Sequence, residues 1–582
     1  AADLTTPSSQ FDISNGGQLT IPQISVTGIG TFGGIGGFPQ GRGDNVGVLS
    51  DTLSWVKGNH TIKYGGEVRR QNTDNFSSTP GTFSFSSVTN FLADSPSSFS
   101  SNTGNRSNRT YEDTFGLFVT DSWKITPTFT ATLGLRYDYF GSPTEAEGRQ
   151  VIFNIPTDSL EQVGTSNGPG RAYNASNSIQ PRVGLAWDPF KNGKTVIRSA
   201  FAIMTDQPTL GLGTNLAANP PFAVPVSLSS TTAAFNLMNA FNLASGGNLS
   251  ISSIAQNYKV AYVNEYNLNI EQQLGNNFAV TAGYYGSKGT DLNIAVDLNE
   301  PLNGVLPFRK LSATSPIDPG VGLSHITQYE SVGNSNYNGL WLTAKRRLAK
   351  GLQFDASYAF SKSIDYNSQF LQGVVVQDSR NIANDRGLSD FDTRHHFVVS
   401  GIYALPFHGN RLKDGWQVSL IETAQTGNPL NFHISTTTLT NGLTTVRPDV
   451  SGPIMSGFNP SFNLSAAAVG YIQNPQVFFD QGATGFGTLG RNVVEGPGFQ
   501  DLDFTLVKNT RITERIHFEI RADVFDLFNH ANFTNPSLTD PLLGTFNPAT
   551  NQTFTLITGG TRAPAGDAGS SRQFQLAMKL HF

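Results

Sequence analysis

The sequence predicts an all-β fold: an antiparallel, up-and-down transmembrane β-barrel with about 15–16 strands in this chain. Three observations carry that prediction. Runs of roughly 10–15 residues alternate apolar and polar side chains with period two. The connections between them alternate between short and long. The chain also finishes inside such a run, "RQFQLAMKLHF". There Phe574, Leu576, Met578, Leu580 and Phe582 fall on one side, and Gln573, Gln575, Ala577, Lys579 and His581 on the other.

The strands come first. "TATLGLRYDYF" puts Leu133, Leu135, Tyr137 and Tyr139 opposite Gly134, Arg136 and Asp138. "GLQFDASYAFSKSID" sets Leu352, Phe354, Ala356, Tyr358 and Phe360 against Asp355, Ser357 and Ser361. "RIHFEIRADVF" sets Ile516, Phe518, Ile520, Ala522 and Val524 against His517, Glu519, Arg521 and Asp523. Soluble strands average about 5–6 residues. A tilted strand crossing a bilayer needs about 9–11. A further candidate strand lies in "QLTIPQISVTG". An internal echo pairs "LGNNFAVTAGYYGSKGTD" with "LAKGLQFDASYAFSKSID", matching Tyr284 to Tyr358 and Lys288 to Lys362, as two returning strands of similar hairpins.

The connections come second. Short turns fall at "VKGNHT", "ITPTF", "FKNGKT", "LGNNF", "LAKGL", "FHGNRLKDG" and "RITERI", with the Gly and Asn that tight hairpins require. Between them lie Ser/Thr/Asn/Gly/Pro-rich loops at about 75–110, 141–181, 207–257, 292–325, 366–393, 434–498 and 532–571. Strict alternation of this kind is the pattern of an outer-membrane barrel, with short periplasmic turns and long extracellular loops. Residues 1–45 read as an N-terminal segment, a loop or partial strand, and 46–582 as the barrel.

Composition sets the exclusions. Only 14% of the 582 residues are charged, against roughly 25% in ordinary globular proteins. The net charge of −5 and the lack of long basic stretches exclude a nucleic-acid footprint. With no cysteine there is neither a disulfide framework nor a thiolate metal site. No run of 18 apolar residues predicts a transmembrane helix. The opening "AADLTTPSSQ" lacks the features of a signal peptide.

The final strand resembles the outer-membrane assembly signal, an alternating apolar row closed by a terminal aromatic. That resemblance implies recognition of Phe574, Leu576, Met578, Leu580 and Phe582 by the barrel-assembly machinery. "YEDTFGLFVTDSWKITPTFTATLGLRYD" resembles a strand–turn–strand unit of TonB-dependent receptor barrels. "VNEYNLNIEQQL", "AGYYGSKGTDL", "SNYNGLWLTAKRRLAKGLQFDASYAFSKSID", "GLSDFDTRHHFVVSGIYALPF" and "FGTLGRNVVEGPGFQDLDFTLVKNTRITERIHFEIRADVFDLFNHANF" resemble, in that order, the Oar-like TonB-dependent transporters of Acidobacteria and related bacteria. The resemblance runs from about residue 45 to the end. It implies a Gram-negative outer membrane, a barrel of about 22 strands or more, a plug domain, and energy-coupled import of a ligand whose identity the residues leave open. No plug and no TonB box are legible here, so the expectation is a C-terminal portion of a longer receptor, contacting TonB through a region outside this chain.

The remaining residues give candidate sites. Arg136 with Asp138, and Arg521 with Asp523, are expected on the lumen face, as a charge network or the lining of a substrate path. Tyr137, Tyr139, Tyr284, Tyr358 and Phe360, near the long-loop ends of their strands, suit an aromatic girdle at the lipid interface. His395 and His396 are adjacent on a strand and so face opposite ways, which argues against a shared metal. Lys345, Arg346 and Arg347 read as an interfacial anchor. "GFGTLGRN" and "GIGTFGGIGG" precede no helix pattern and are not phosphate loops. No nucleophile–base constellation suggests an enzyme, and no cofactor is implied. Two other readings stay open: a stand-alone porin-like passive channel, and a soluble cell-surface β protein for adhesion or glycan binding, which strand length and Phe582 oppose.

Overall fold

The computed structural model describes residues 22–34, 40–77, 81–104, 107–230, 234–243, 247–369, 373–434, 446–459, 469–479, 485–540, 555–557 and 571–582. Part of the N-terminal segment 1–45, and parts of the loops at 75–110, 207–257, 366–393, 434–498 and 532–571, lie outside them.

The wall of the molecule is one meander of fifteen strands. In chain order they are β1 (Gln40–Lys57), β2 (His60–Ser77), β3 (Asn108–Thr126), β4 (Phe129–Phe140), β5 (Ser176–Trp187), β6 (Thr195–Thr205), β7 (Tyr262–Leu274), β8 (Phe278–Asp297), β9 (Leu323–Ala349), β10 (Leu352–Asp365), β11 (His395–Ala404), β12 (Trp416–Gln425), β13 (Phe499–Arg511), β14 (His517–Phe525) and β15 (Gln573–His581). Each pairs antiparallel with the next. An odd number of alternating strands leaves β1 and β15 running in the same direction. No register joins these two edges among the described residues.

Local chemistry explains the hairpins. At the β9–β10 turn, Lys350 and Gly351 both take positive φ, 51° and 79°. That is the type I′ geometry whose twist matches the flanking strands, and it requires glycine or a tolerant residue there. On the far side several strands run well past what a bilayer needs. β9 has 27 residues and β8 has 20. His581 is registered with His517, so the chain finishes on the short-turn side.

The apolar core does not lie inside the wall. It lies in the long loops and the strand extensions that rise with them. Val26, Phe83, Phe85, Phe99 and Val226 form one buried cluster under a five-stranded sheet (order Ala223–Ser229, Ser98–Gly104, Thr82–Phe85, Gln23–Val26, Gly30–Gly33). Val151, Phe153, Leu160, Leu249, Ile251 and Leu323 form a second cluster. Leu430, Phe432, Ile472, Phe478 and Val494 form a third. Four-residue Gln23–Val26, the sixteenth candidate strand, therefore belongs to this loop layer and not to the wall. It is too short to cross a bilayer. The wall itself has no such core, because one of its faces meets lipid and the other meets the lumen.

Candidate functional site

Strand register assigns the faces. Phe115, Leu117 and Val119 on β3 pair with Tyr139, Tyr137 and Leu135 on β4, and those with Asn177, Ile179 and Pro181 on β5. This apolar row is the outer face. The residues between them, Glu112, Gly116, Arg136, Asp138 and Gln180 among others, form the inner one. The terminal row sits in the same way: Phe574, Leu576, Met578 and Leu580 are registered with Val524, Ala522, Ile520 and Phe518. Their side chains are exposed, and Phe582 is 97% exposed.

The five aromatics expected at the interface all point outward. Tyr137 donates to Asn177 at 3.0 Å. Tyr139 is registered with Phe115. Tyr284 donates to Asn338 at 2.5 Å and lies 6.2 Å, ring to ring, from Tyr266. Tyr358 hydrogen-bonds His395 Nδ1 at 2.7 Å, and the Phe360 ring is 5.0 Å from the same imidazole. His395 is therefore on the outer face. His396, registered with Ala359, is on the inner one. A ring carrying one polar atom fits a level where hydrocarbon gives way to headgroups.

The inner face carries charge in pairs. Arg136 Nε donates to Asp138 Oδ2 at 2.7 Å, and Gln180 donates to the same carboxylate. Arg521 Nε donates to Asp523 Oδ1 at 2.7 Å, with Thr505 Oγ1 donating to that oxygen at 2.7 Å. Arg–x–Asp works here because alternate residues of a strand share a face. Arg69 with Glu67 at 2.7 Å repeats the device within β2. Arg198 with Glu271 (3.2 Å) and Lys345 with Asp355 (2.9 Å) bridge neighbouring strands. Lys345 thus faces the lumen, while Arg346 faces outward in register with Phe278. Near the short-turn end this face forms a recess of about 680 Å³ lined by Lys194, Glu271, Lys345, Asp355, Ile402 and Ile421.

Sequence reasoning missed the groups that lock the loops. The Arg447 side chain is 4% exposed and that of Asp385 is 1%, and they form an ion pair. Arg447 Nε also donates to the Leu489 carbonyl at 2.7 Å. Arg491 donates to Asp365 Oδ1 (2.6 Å), Asp390 Oδ1 (2.9 Å) and Ser368 Oγ (2.8 Å). Both arginines tie the 426–498 connection to the 366–394 connection. Charges this deeply buried persist only when paired and hydrogen-bonded. No local cue in the sequence marks either arginine, because their partners lie far off in the chain. Glu300 joins a second pair of loops, accepting from Ser379 N–H at 2.9 Å. Its burial pushes the carboxyl up to about 7. No cluster of three or more His, Asp or Glu with metal-site geometry exists among the described residues. No helix there is long and apolar enough to cross a membrane, which says nothing of strands.

The family model for the outer membrane beta barrel domain matches residues 2–575. The chain belongs to that family. An outer-membrane β-barrel places it in the outer membrane of a Gram-negative bacterium. Among solved structures, the outer membrane transporter YddB from Escherichia coli is 12% identical, covering 97% of this chain and 58% of that one, with a TM-score of 0.53. The copper transporter OprC is 12% identical over 94% of this chain and 58% of its own, at a TM-score of 0.45. The siderophore receptor PiuA from Acinetobacter baumannii is 11% identical over 93% and 56%, at 0.42. At these identities the likeness speaks for fold alone. The barrel thus spans a little over half the length of the transporters and receptors it is similar to. A comparison with curated proteins finds no match.

Proposed function

We propose that this barrel is the outer-membrane portion of an Oar-like, TonB-dependent receptor that captures a ligand with its long loops and imports it by energy-coupled transport. The observation that carries the reading is the pairing of a bilayer-crossing wall with a thick, folded extracellular cap. Loops with their own buried cores hold a defined surface toward the outside, as ligand capture requires and a simple sieve does not. The order of the sequence blocks named above supports the Oar-like assignment. The fold shared with YddB supports a transporter wall. Under this reading the plug and the segment that meets TonB lie outside the residues of this chain. The row Phe574–Phe582 is then what the barrel-assembly machinery reads. Arg136, Asp138, Arg521 and Asp523 keep the interior polar, and the five outward aromatics seat the barrel in lipid.

The test is uptake by cells expressing the complete natural gene. A labelled panel of ferric chelates, cobalamin, peptides and oligosaccharides would be offered with and without TonB, and with a protonophore. At least one compound should accumulate, and that accumulation should vanish when TonB or the proton gradient is removed. Accumulation independent of both would refute energy coupling and favour the passive channel.

A further inference from the structure

Three aromatic rings stand on the inner face of β8 and β9. Tyr285 is registered with Gly339 and Trp341 with Gly283, so these two rings each face a glycine on the adjoining strand, while the third, Tyr337, is registered with Ser287. The glycines make room for the rings. A Cβ at Gly339 would come within 2.7 Å of the Tyr337 hydroxyl and 3.1 Å of Trp341 Nε1. A Cβ at Gly283 would come within 2.8 Å of the Tyr285 ring. The Tyr285 and Trp341 centroids are 5.0 Å apart at 44°. Trp341 Nε1 donates to the Tyr337 hydroxyl at 3.0 Å. The indole's polar atom is thereby satisfied within the cluster, yet the residue remains 44% exposed.

Rings covering glycines stabilise a sheet by themselves. That accounts for their contact with the wall but not for their surroundings. The inner-face rows through these rings run Asn269–Gly283–Trp341–Ala359, Asn267–Tyr285–Gly339–Ser361 and Glu265–Ser287–Tyr337–Ser363. Across β7–β10 they hold amides, hydroxyls and one carboxylate; one strand beyond at either end, the first row meets Arg198, tied to Glu271, and His396. The nearest inner-face cation along β9, Lys345, is tied to Asp355. Arg198 and Lys345, the bordering arginine and lysine, each already hold a carboxylate, which an anionic metal chelate would have to displace. A pyranose ring would find apolar ring faces for its C–H side and amide and hydroxyl groups for its hydroxyls, the mix of apolar walls and a few placed polar groups typical of small-molecule sites.

We propose that the inner face of β8 and β9 is a binding platform for a neutral oligosaccharide, with Tyr285 and Trp341 as stacking rings and Asn267, Asn269 and Ser361 as hydrogen-bonding partners. The proposal rests on the import reading for its meaning as a substrate path, and on the rings alone for binding.

The test uses the complete natural protein, purified in an amine-oxide detergent so that no sugar headgroup competes. Maltohexaose and cellohexaose are titrated while heat and tryptophan emission are followed. One of them should bind with a change in emission. Trp341→Ala and Tyr285→Leu should each weaken it about tenfold or more, and Trp341→Phe less. Trp187→Ala, on the outer face, should leave it unchanged. Heat-modifiable gel migration verifies that each variant is folded. If Trp341→Ala does not fold, Tyr285→Leu and Asn269→Ala decide. No binding of either sugar up to about 10 mM, or binding indifferent to the ring variants, overturns the platform while leaving energy-coupled import standing. Ring-dependent binding with TonB-independent uptake upholds the platform and overturns the import reading.

Discussion

Removing Arg491 should open the cap without disturbing the wall. Its guanidinium is 6% exposed and holds Asp365, also 6%, at 2.6 Å. It further holds Asp390 and Ser368. Arg491→Ala strands the Asp365 carboxylate in a site that excludes water. Truncating one partner of a buried pair costs about 3–5 kcal/mol. The bonds lie at the rim, joining the 426–498 connection to the last residue of β10 and to the 366–394 connection beyond it, so the loss falls on local opening and not on the whole barrel. At about 1.4 kcal/mol per factor of ten, amide exchange in 366–394 should accelerate by roughly two to four powers of ten. The assay is hydrogen exchange with mass detection on the protein in bilayer discs, with β3 and β4 as internal reference. Replacing both partners, Arg491→Met with Asp365→Leu, should recover most of the protection. Unchanged exchange in 366–394 would refute the assignment of Arg491 as the tie. Equal loss across β3 and β4 would refute the separation of cap from wall.

Three further outcomes follow from the geometry. Glu300, raised from 4.5 to about 7 by burial, binds more protons in the docked loop than in a free one; docking of 298–322 against Ser379 should therefore weaken as pH rises from about 4.5 to about 7 and then level off, and Glu300→Gln should flatten that profile in exchange corrected for intrinsic rate. Asp297, Asp378 and Arg380 face the same carboxyl and should modulate the midpoint, not the sign. Phe582→Ala should lower the yield of assembled barrel in outer-membrane fractions yet leave the unfolding midpoint of assembled protein within about 0.5 kcal/mol, because the ring is exposed; a large shift in midpoint would show a packing role instead. Gly351→Ala should cost about 1 kcal/mol or more in urea refolding, since φ is +79° and the added Cβ would come 2.7 Å from the Ala404 carbonyl oxygen.

The wall was legible because lipid and water enforce a period of two on every strand. Tyr137, Asp138 and Tyr139 could be assigned alternate faces from their spacing, and register places them so. The adjacent histidines separate for the same reason. The cap was not legible. Its strands are two to seven residues long, too short to show a period, and its partners are distant in sequence. Arg447 meets Asp385, and Arg491 meets Asp365. Nothing local in "VRPDV" or "TLGRN" announces a buried cation. "QISV" misled for a related reason: four alternating residues look alike whether they join a wall or a loop layer. The lumen rings were hidden because Tyr285 follows the outward Tyr284 directly, and only pairing with Gly339 shows that its face is different.

The placement of the apolar clusters has a consequence for how this protein can change. The wall answers to the bilayer, and almost any residue with the right alternation serves there. The cap answers to packing, as a water-soluble domain does, and its clusters tolerate only shape-preserving exchange. A descendant that recognises something new can redraw one cluster at a time while the wall carries it unchanged through the membrane. Chaotrope should likewise dismantle the molecule in two stages, the cap first at the concentrations that melt soluble domains, and the wall at higher ones.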